Sequence, residues 1–182
     1  MILALLAFTT LACSACKDES DDPEPQNNNT SSSIPDLIVD IQATENGTVI
    51  ETISFNFPKQ NGNTASCNGS YNENAKLFAL NCLGKIGAAG PAFSFAGSTG
   101  GVKTGTYDLT SAMAAVFTLG DATPFLAKSG SLKIDKVDLY ASVGALNEYF
   151  IAAELNGTFE NSDGTRTITV SGTFKGVNIK SN

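Results

Sequence analysis

The sequence predicts an all-β fold: an antiparallel β-sandwich or flattened barrel of about eight strands, in a single domain. Three observations predict it. Apolar and polar residues alternate with period two along most of the chain from Asp36 onward, which is the spacing of a half-buried strand. Only 16% of the 182 residues are charged although mean hydropathy is near zero, so polarity is carried by Ser, Thr, Asn and Gly. Clusters of Gly, Asn and Ser recur between the alternating runs, as the turns of a sandwich or barrel require.

Eight strands follow in order: 37–44, 49–57, 77–83, 92–96, 106–109, 130–139, 149–159 and 165–175. The last two are the clearest. Arg166, Ile168, Val170, Gly172 and Phe174 share one parity against a row of Thr, Ser and Lys. Upstream, Tyr149, Ile151, Ala153, Leu155 and Phe159 oppose Glu154, Asn156, Thr158 and Glu160. Asn161, Ser162, Asp163 and Gly164 part the two runs, and an Asp-Gly turn between alternating segments is a strong hairpin signal. In 130–139 the parity changes between Ile134 and Val137, which places a bulge near Asp135 and Lys136. Residues 109–119 have contiguous apolar residues where an amphipathic helix would space them, so they read as a turn leading into a strand, with a short helix as the alternative. The stripe Phe55, Phe57, Phe78, Phe93, Phe95, Phe159 and Phe174 reads as core.

Composition also excludes chemistry. The chain has no histidine, which removes Ser-His-Asp, Cys-His and His-zinc centres. A net charge of -7 and a pI near 4.4 argue against a nucleic-acid partner, whose phosphates need a basic face.

Residues 2–12 form an uncharged apolar run, too short for the roughly 20 residues of a membrane-spanning helix but sufficient for the core of a signal peptide. Ser14, Ala15 and Cys16 follow, and then the acidic stretch Lys17, Asp18, Glu19, Ser20, Asp21, Asp22. This arrangement resembles a bacterial lipobox followed by the surface-export signal of Bacteroidetes lipoproteins. The resemblance implies a signal peptide over 1–15, a lipid on Cys16, and a membrane partner through that anchor. It places the protein on the outer membrane, surface-exposed, with the periplasmic face as the alternative. Cys13, preceded by Thr10, Leu11 and Ala12, is the rival acceptor. No basic residue precedes the apolar run, which suggests a start upstream of Met1. Residues 16–35 read as a disordered acidic tether, because one apolar residue and three prolines cannot offset the entropy of ordering. Residues 17–24 hold one Lys and five acids, so most of the net charge lies in that tether. The β-domain is then 36–182.

The segments GTYDL, SGSLKIDKVD, AAELNGTFEN and TITVSGTFKGVNI are similar, in that order, to a recurrent β-domain of small Bacteroidetes surface lipoproteins whose function is uncharacterised. That resemblance implies a single all-β domain on a lipid anchor and brings no catalytic residues. With Cys13 removed and Cys16 acylated, Cys67 and Cys82 remain as an even pair in an exported chain. A turn cluster at Asn72, Glu73 and Asn74 lets them face each other across a hairpin, so a disulfide is expected; two buried free thiols are the alternative.

Other patterns carry little chemistry. The run from Gly97 to Thr104 lacks the Gly that a phosphate loop requires before Lys103. Gly84, Gly87 and Gly90 lack the dinucleotide spacing. Asn161, Asp163 and Gly164 form a fragment of a calcium loop without its remaining ligands, and read as turn chemistry. Glu51, Glu154, Glu160, Asp135 and Asp138 are the carboxylates from which a glycosidase pair would be drawn, but their parity or alternation with lysines suggests solvated faces. Trp is absent, leaving Tyr71 and Tyr140, near predicted turns, as weak sugar platforms. The expectation is a non-enzymatic module with no metal or cofactor, binding a glycan or envelope protein, with a lipocalin-like carrier of an apolar ligand as the alternative.

Overall fold

The computed structural model describes residues 33–58, 67–84 and 90–181. It is all-β. Ten strands and no α-helix occur among the described residues: β1 (Leu37–Glu45), β2 (Thr48–Phe57), β3 (Cys67–Asn72), β4 (Leu77–Leu83), β5 (Ala92–Ser98), β6 (Gly105–Asp108), β7 (Ala114–Thr118), β8 (Pro124–Val143), β9 (Leu146–Asn161) and β10 (Thr167–Ser181). All eight sequence-read strands are present, and the expected turn leading into a strand over 109–119 is the bend 109–113 followed by β7. The one addition is β3. In β3, CNGSYN, only Cys67 and Tyr71 are buried and the rest is turn-like in composition, so its pairing partners define it as a strand.

Seven strands close into a barrel in the order β10-β3-β4-β5-β7-β8-β9, with β9 returning to β10. Every pairing in the ring is antiparallel except β3 with β10, where Asn68 to Tyr71 run beside Asn178 to Ser181. The sequence-read alternation cannot distinguish that parallel contact. The long strands β8 and β10 each divide one edge between two partners. β10 pairs with β1 through residues 169–175 and with β3 through residues 178–181, while β8 pairs with β7 at residues 124–126 and with β6 at residues 131–134. β1 and β2 thus flank the ring as a hairpin and β6 as a short edge.

Bulges mark where these edges change hands. The register of β8 shifts between Ile134 and Lys136, where the parity change predicts it, and again near Lys128 and Tyr140. β10 shifts between Lys175 and Val177, at Gly176, whose φ is +66°. A side chain there would run into the carbonyl of Asp36, where the chain crosses into β1, so glycine meets both the conformation and the close approach.

The core is continuous and aromatic. Phe78, Phe93, Phe117, Phe125, Phe159 and Phe174 are fully buried, with Leu80, Ile151, Val170 and Ile179 among them. The rings of Phe93 and Phe174 stand 5.9 Å apart, bringing β5 to β10 through the barrel interior. Phe55 and Phe57 depart from the expected core stripe: they are half-buried on β2 and pack on each other at 5.3 Å, because β2 lies outside the ring at the free edge of its hairpin. One end of the barrel carries the turns after β1, β7 and β9. The other carries the turns after β3 and β8, the loop after β5 and the end of β10.

Candidate functional site

Fully buried aromatic side chains fill the interior, and on the outer surface the two bulges lie level on either side of β9. Ala152 pairs with Lys136 of β8 and Lys175 of β10, immediately beside both register shifts. Each bulge bends its strand and parts the outward-facing side chains. A groove of about 420 Å³ results. Its floor is apolar, built from Ile38, Phe150 and Ala152, and Phe150 is held edge-on by Tyr140 at 5.2 Å. The rim is charged. Lys136 donates to Asp138 at 2.6 Å, so that pair is locally neutral, while Lys175 is exposed and forms no ion pair among the described residues. Asp36 also lines the groove, so its formal charges balance, and it can take a ligand that sets a hydroxyl-bearing group beside an apolar surface.

A second depression of about 270 Å³ lies between β5 and β6, lined by Ser98, Thr106, Tyr107, Asp108 and Ser111. The Thr110 hydroxyl and amide both donate to Asp108 at 2.8 Å and hold its carboxyl below the usual carboxylate range. Burial pushes the Tyr107 phenol up, and its hydroxyl donates to the Lys103 carbonyl at 3.1 Å.

The carboxylates considered for hydrolysis are dispersed among structural partners. Glu51 accepts from the Gly120 amide at 3.0 Å, Glu160 meets Lys128 at 3.1 Å and Asp135 meets Lys133 at 2.6 Å, while Glu154 lies opposite Lys133 on β8. Asp163 accepts from the amide and hydroxyl of Thr165 and is held below its usual range by them, as the turn reading expects. Among the described residues no three His, Cys, Asp or Glu side chains gather as a metal site. Tyr71 is buried in the core and offers no platform to a sugar, contrary to the expectation for a residue near a turn: its strand lies inside the ring, between β10 and β4.

Cys67 and Cys82 are directly opposite in the β3–β4 register, with Cα atoms 4.0 Å apart, and are joined as a disulfide; both are fully buried. Cys13, Cys16, the signal over 1–15 and the acidic stretch lie outside the described residues, as do Gly87 and most of the segment joining β4 to β5. The groove was only half-legible from sequence. The bulge beside Lys136 is readable there, whereas Lys175 and Phe150 join it only because β8 and β10 flank β9.

Fold and groove define the class: an all-β domain built on a closed seven-stranded barrel with a filled interior and an external groove. The chain matches no protein-family model, no curated protein and no solved structure.

Proposed function

We propose that this chain is a lipid-anchored module of a bacterial outer membrane, surface-exposed, that binds an envelope component, glycan or protein, without catalysing a reaction. The observation that carries the binding mode is the filled barrel: six phenylalanines have no exposed surface, so a ligand is met on the outside. The groove beside Lys175 is the proposed contact. The lipobox resemblance at Cys16 and the acidic stretch behind it support the anchor. The test is a glycan-array and pulldown screen with the mature full-length protein, repeated with Lys175→Glu. Partners retained by the native chain and lost by the variant support the groove; undiminished binding by the variant refutes it.

The lipocalin-like reading has one observation in its favour. The Tyr71 hydroxyl is buried with no hydrogen-bond partner among the described residues, a polar atom that a ligand head group would satisfy. Stoichiometric binding of a fatty acid or hydrophobic dye by the native protein would favour that carrier over the surface module.

A further inference from the structure

Exposed apolar side chains occur at both ends of the barrel, with Val49, Leu83 and Leu126 on separate strands toward the end that carries the turns after β1 and β7, and three sharing one hairpin toward the other. In the β8–β9 hairpin Val143 is 74% exposed, Leu146 58% and Leu139 53%, with the half-buried Tyr140 and Tyr149 behind them. Gly144 and Ala145 form the turn between β8 and β9, so Val143 and Leu146 sit at the tip as directly paired residues. Three side chains expose on the order of a few hundred Å², short of the roughly 800 Å² per partner of a standard protein interface. Apolar tips backed by tyrosines suit shallow insertion into a lipid surface, where the tip is apolar and the phenols lie at head-group level.

Charge distinguishes the two ends. Near the tip, Glu73 pairs with Lys76 at 3.3 Å, Glu148 is engaged by the Asn178 amide, and Lys180 is an exposed cation. The opposite end presents Asp121 and Asp163 in its turns, each accepting from the amide of a threonine two residues on, beside the Glu45–Arg166 ion pair at 2.9 Å. Desolvating those carboxylates against lipid would be costly.

We infer that the β8–β9 tip is a membrane-contact site: Val143 and Leu146 insert into the interfacial layer of the bilayer and hold the barrel with that end toward the lipid. That the tip meets a bilayer rests on the lipid-anchor reading; the tip's affinity for lipid does not. The chain has no tryptophan, so a single introduced one is a clean reporter. The full chain, purified from the membranes of its producing cell, is made as Leu146→Trp and, for the opposite end, as Ser162→Trp, and each is mixed with phosphatidylcholine vesicles. The Leu146→Trp emission is expected to shift to the blue and to become shielded from acrylamide, with Ser162→Trp unchanged. Adding Val143→Asp to the Leu146→Trp chain is expected to reduce the shielding about tenfold, as a carboxylate replaces an apolar contact at the interface. Equal quenching of the two reporters overturns the inference, and so does a blue shift that needs protein concentration and no lipid, which would assign the tip to a second copy. Mass spectrometry of the same preparation reads acylation of Cys16 separately. An unmodified Cys16 with a shielded tip refutes the anchor alone, and an acylated Cys16 with an unshielded tip refutes the tip alone.

Discussion

Replacing Cys67 and Cys82 together by alanine removes the covalent link between two strands on which the ring depends. β3 reaches β10 only through residues 68–71, a four-residue parallel contact, and β4 carries the barrel on to β5. The cross-link closes a sequence separation of 15 residues. In the chain-entropy treatment a loop of that length withholds about 10 cal/mol/K from the unfolded chain, or about 3 kcal/mol at room temperature. Both sulfurs are fully buried, so truncation to alanine also leaves a small void that adds to the loss. For a domain of this size each kcal/mol moves the melting midpoint by about 2–4 °C, which gives a drop of roughly 6–12 °C. Calorimetry or circular dichroism on the native chain, on the chain under reductant and on the double variant measures it. Hydrogen exchange should show protection lost first in β3. Equal midpoints for the oxidised and reduced native chain would refute the reasoning, as would two alkylatable thiols in the native protein.

Three further outcomes are expected. Phe174→Ala should cost about 3–5 kcal/mol in denaturant unfolding, because the ring is fully buried against Phe93 and its loss leaves a void in the barrel interior; a cost under about 1 kcal/mol would mean the interior is loosely packed. Gly172→Ala should destabilise by about 2 kcal/mol or more although the backbone there is ordinary β. Its Cβ would fall against the Asp40 carbonyl and the Ile41 Cα of β1, and a neutral result would show that the β1–β2 hairpin moves freely on β10. Acid should weaken the fold through its turns. The hydroxyl and amide of Thr110 and Thr165 hold Asp108 and Asp163 below their ordinary value, the Thr123 amide does so for Asp121, and Arg166 for Glu45. The folded chain then binds fewer protons than the unfolded one at these groups. Their stabilisation is complete above the ordinary values, 3.8 for the aspartates and 4.5 for the glutamate, and is lost as the pH falls through the lower folded values. Urea midpoints followed from about pH 6 down to about pH 2 should decline in that lower range, and less so for Asp163→Asn; a flat profile would contradict the hydrogen bonds assigned to these turns.

Local pattern determined a good deal of this protein. Period-two alternation establishes an all-β chain because inward and outward residues on a strand differ in burial, and Ile168, Val170 and Phe174 lie on the buried side that the pattern gives them. The bulge at Asp135 is legible because one extra residue exchanges the two faces, so Ile134 and Val137 fall on opposite parities yet both face inward beside Ala153 and Ile151. The Asp-Gly turn and the Cys67–Cys82 hairpin are legible because their partners are near in sequence. Tertiary structure decided what depends on distant partners. Alternation within one strand holds no information about which strand lies beside it, so the parallel contact of β3 with β10, and the closing of seven strands into a ring, emerge only when the last strand meets the third. The same is true of the surface: Lys175 and Lys136 are 39 positions apart in sequence and share a groove because β9 pairs with both of their strands at Ala152. Burial is a property of a residue's own chemistry and can be read locally; neighbourhood is set by the whole topology.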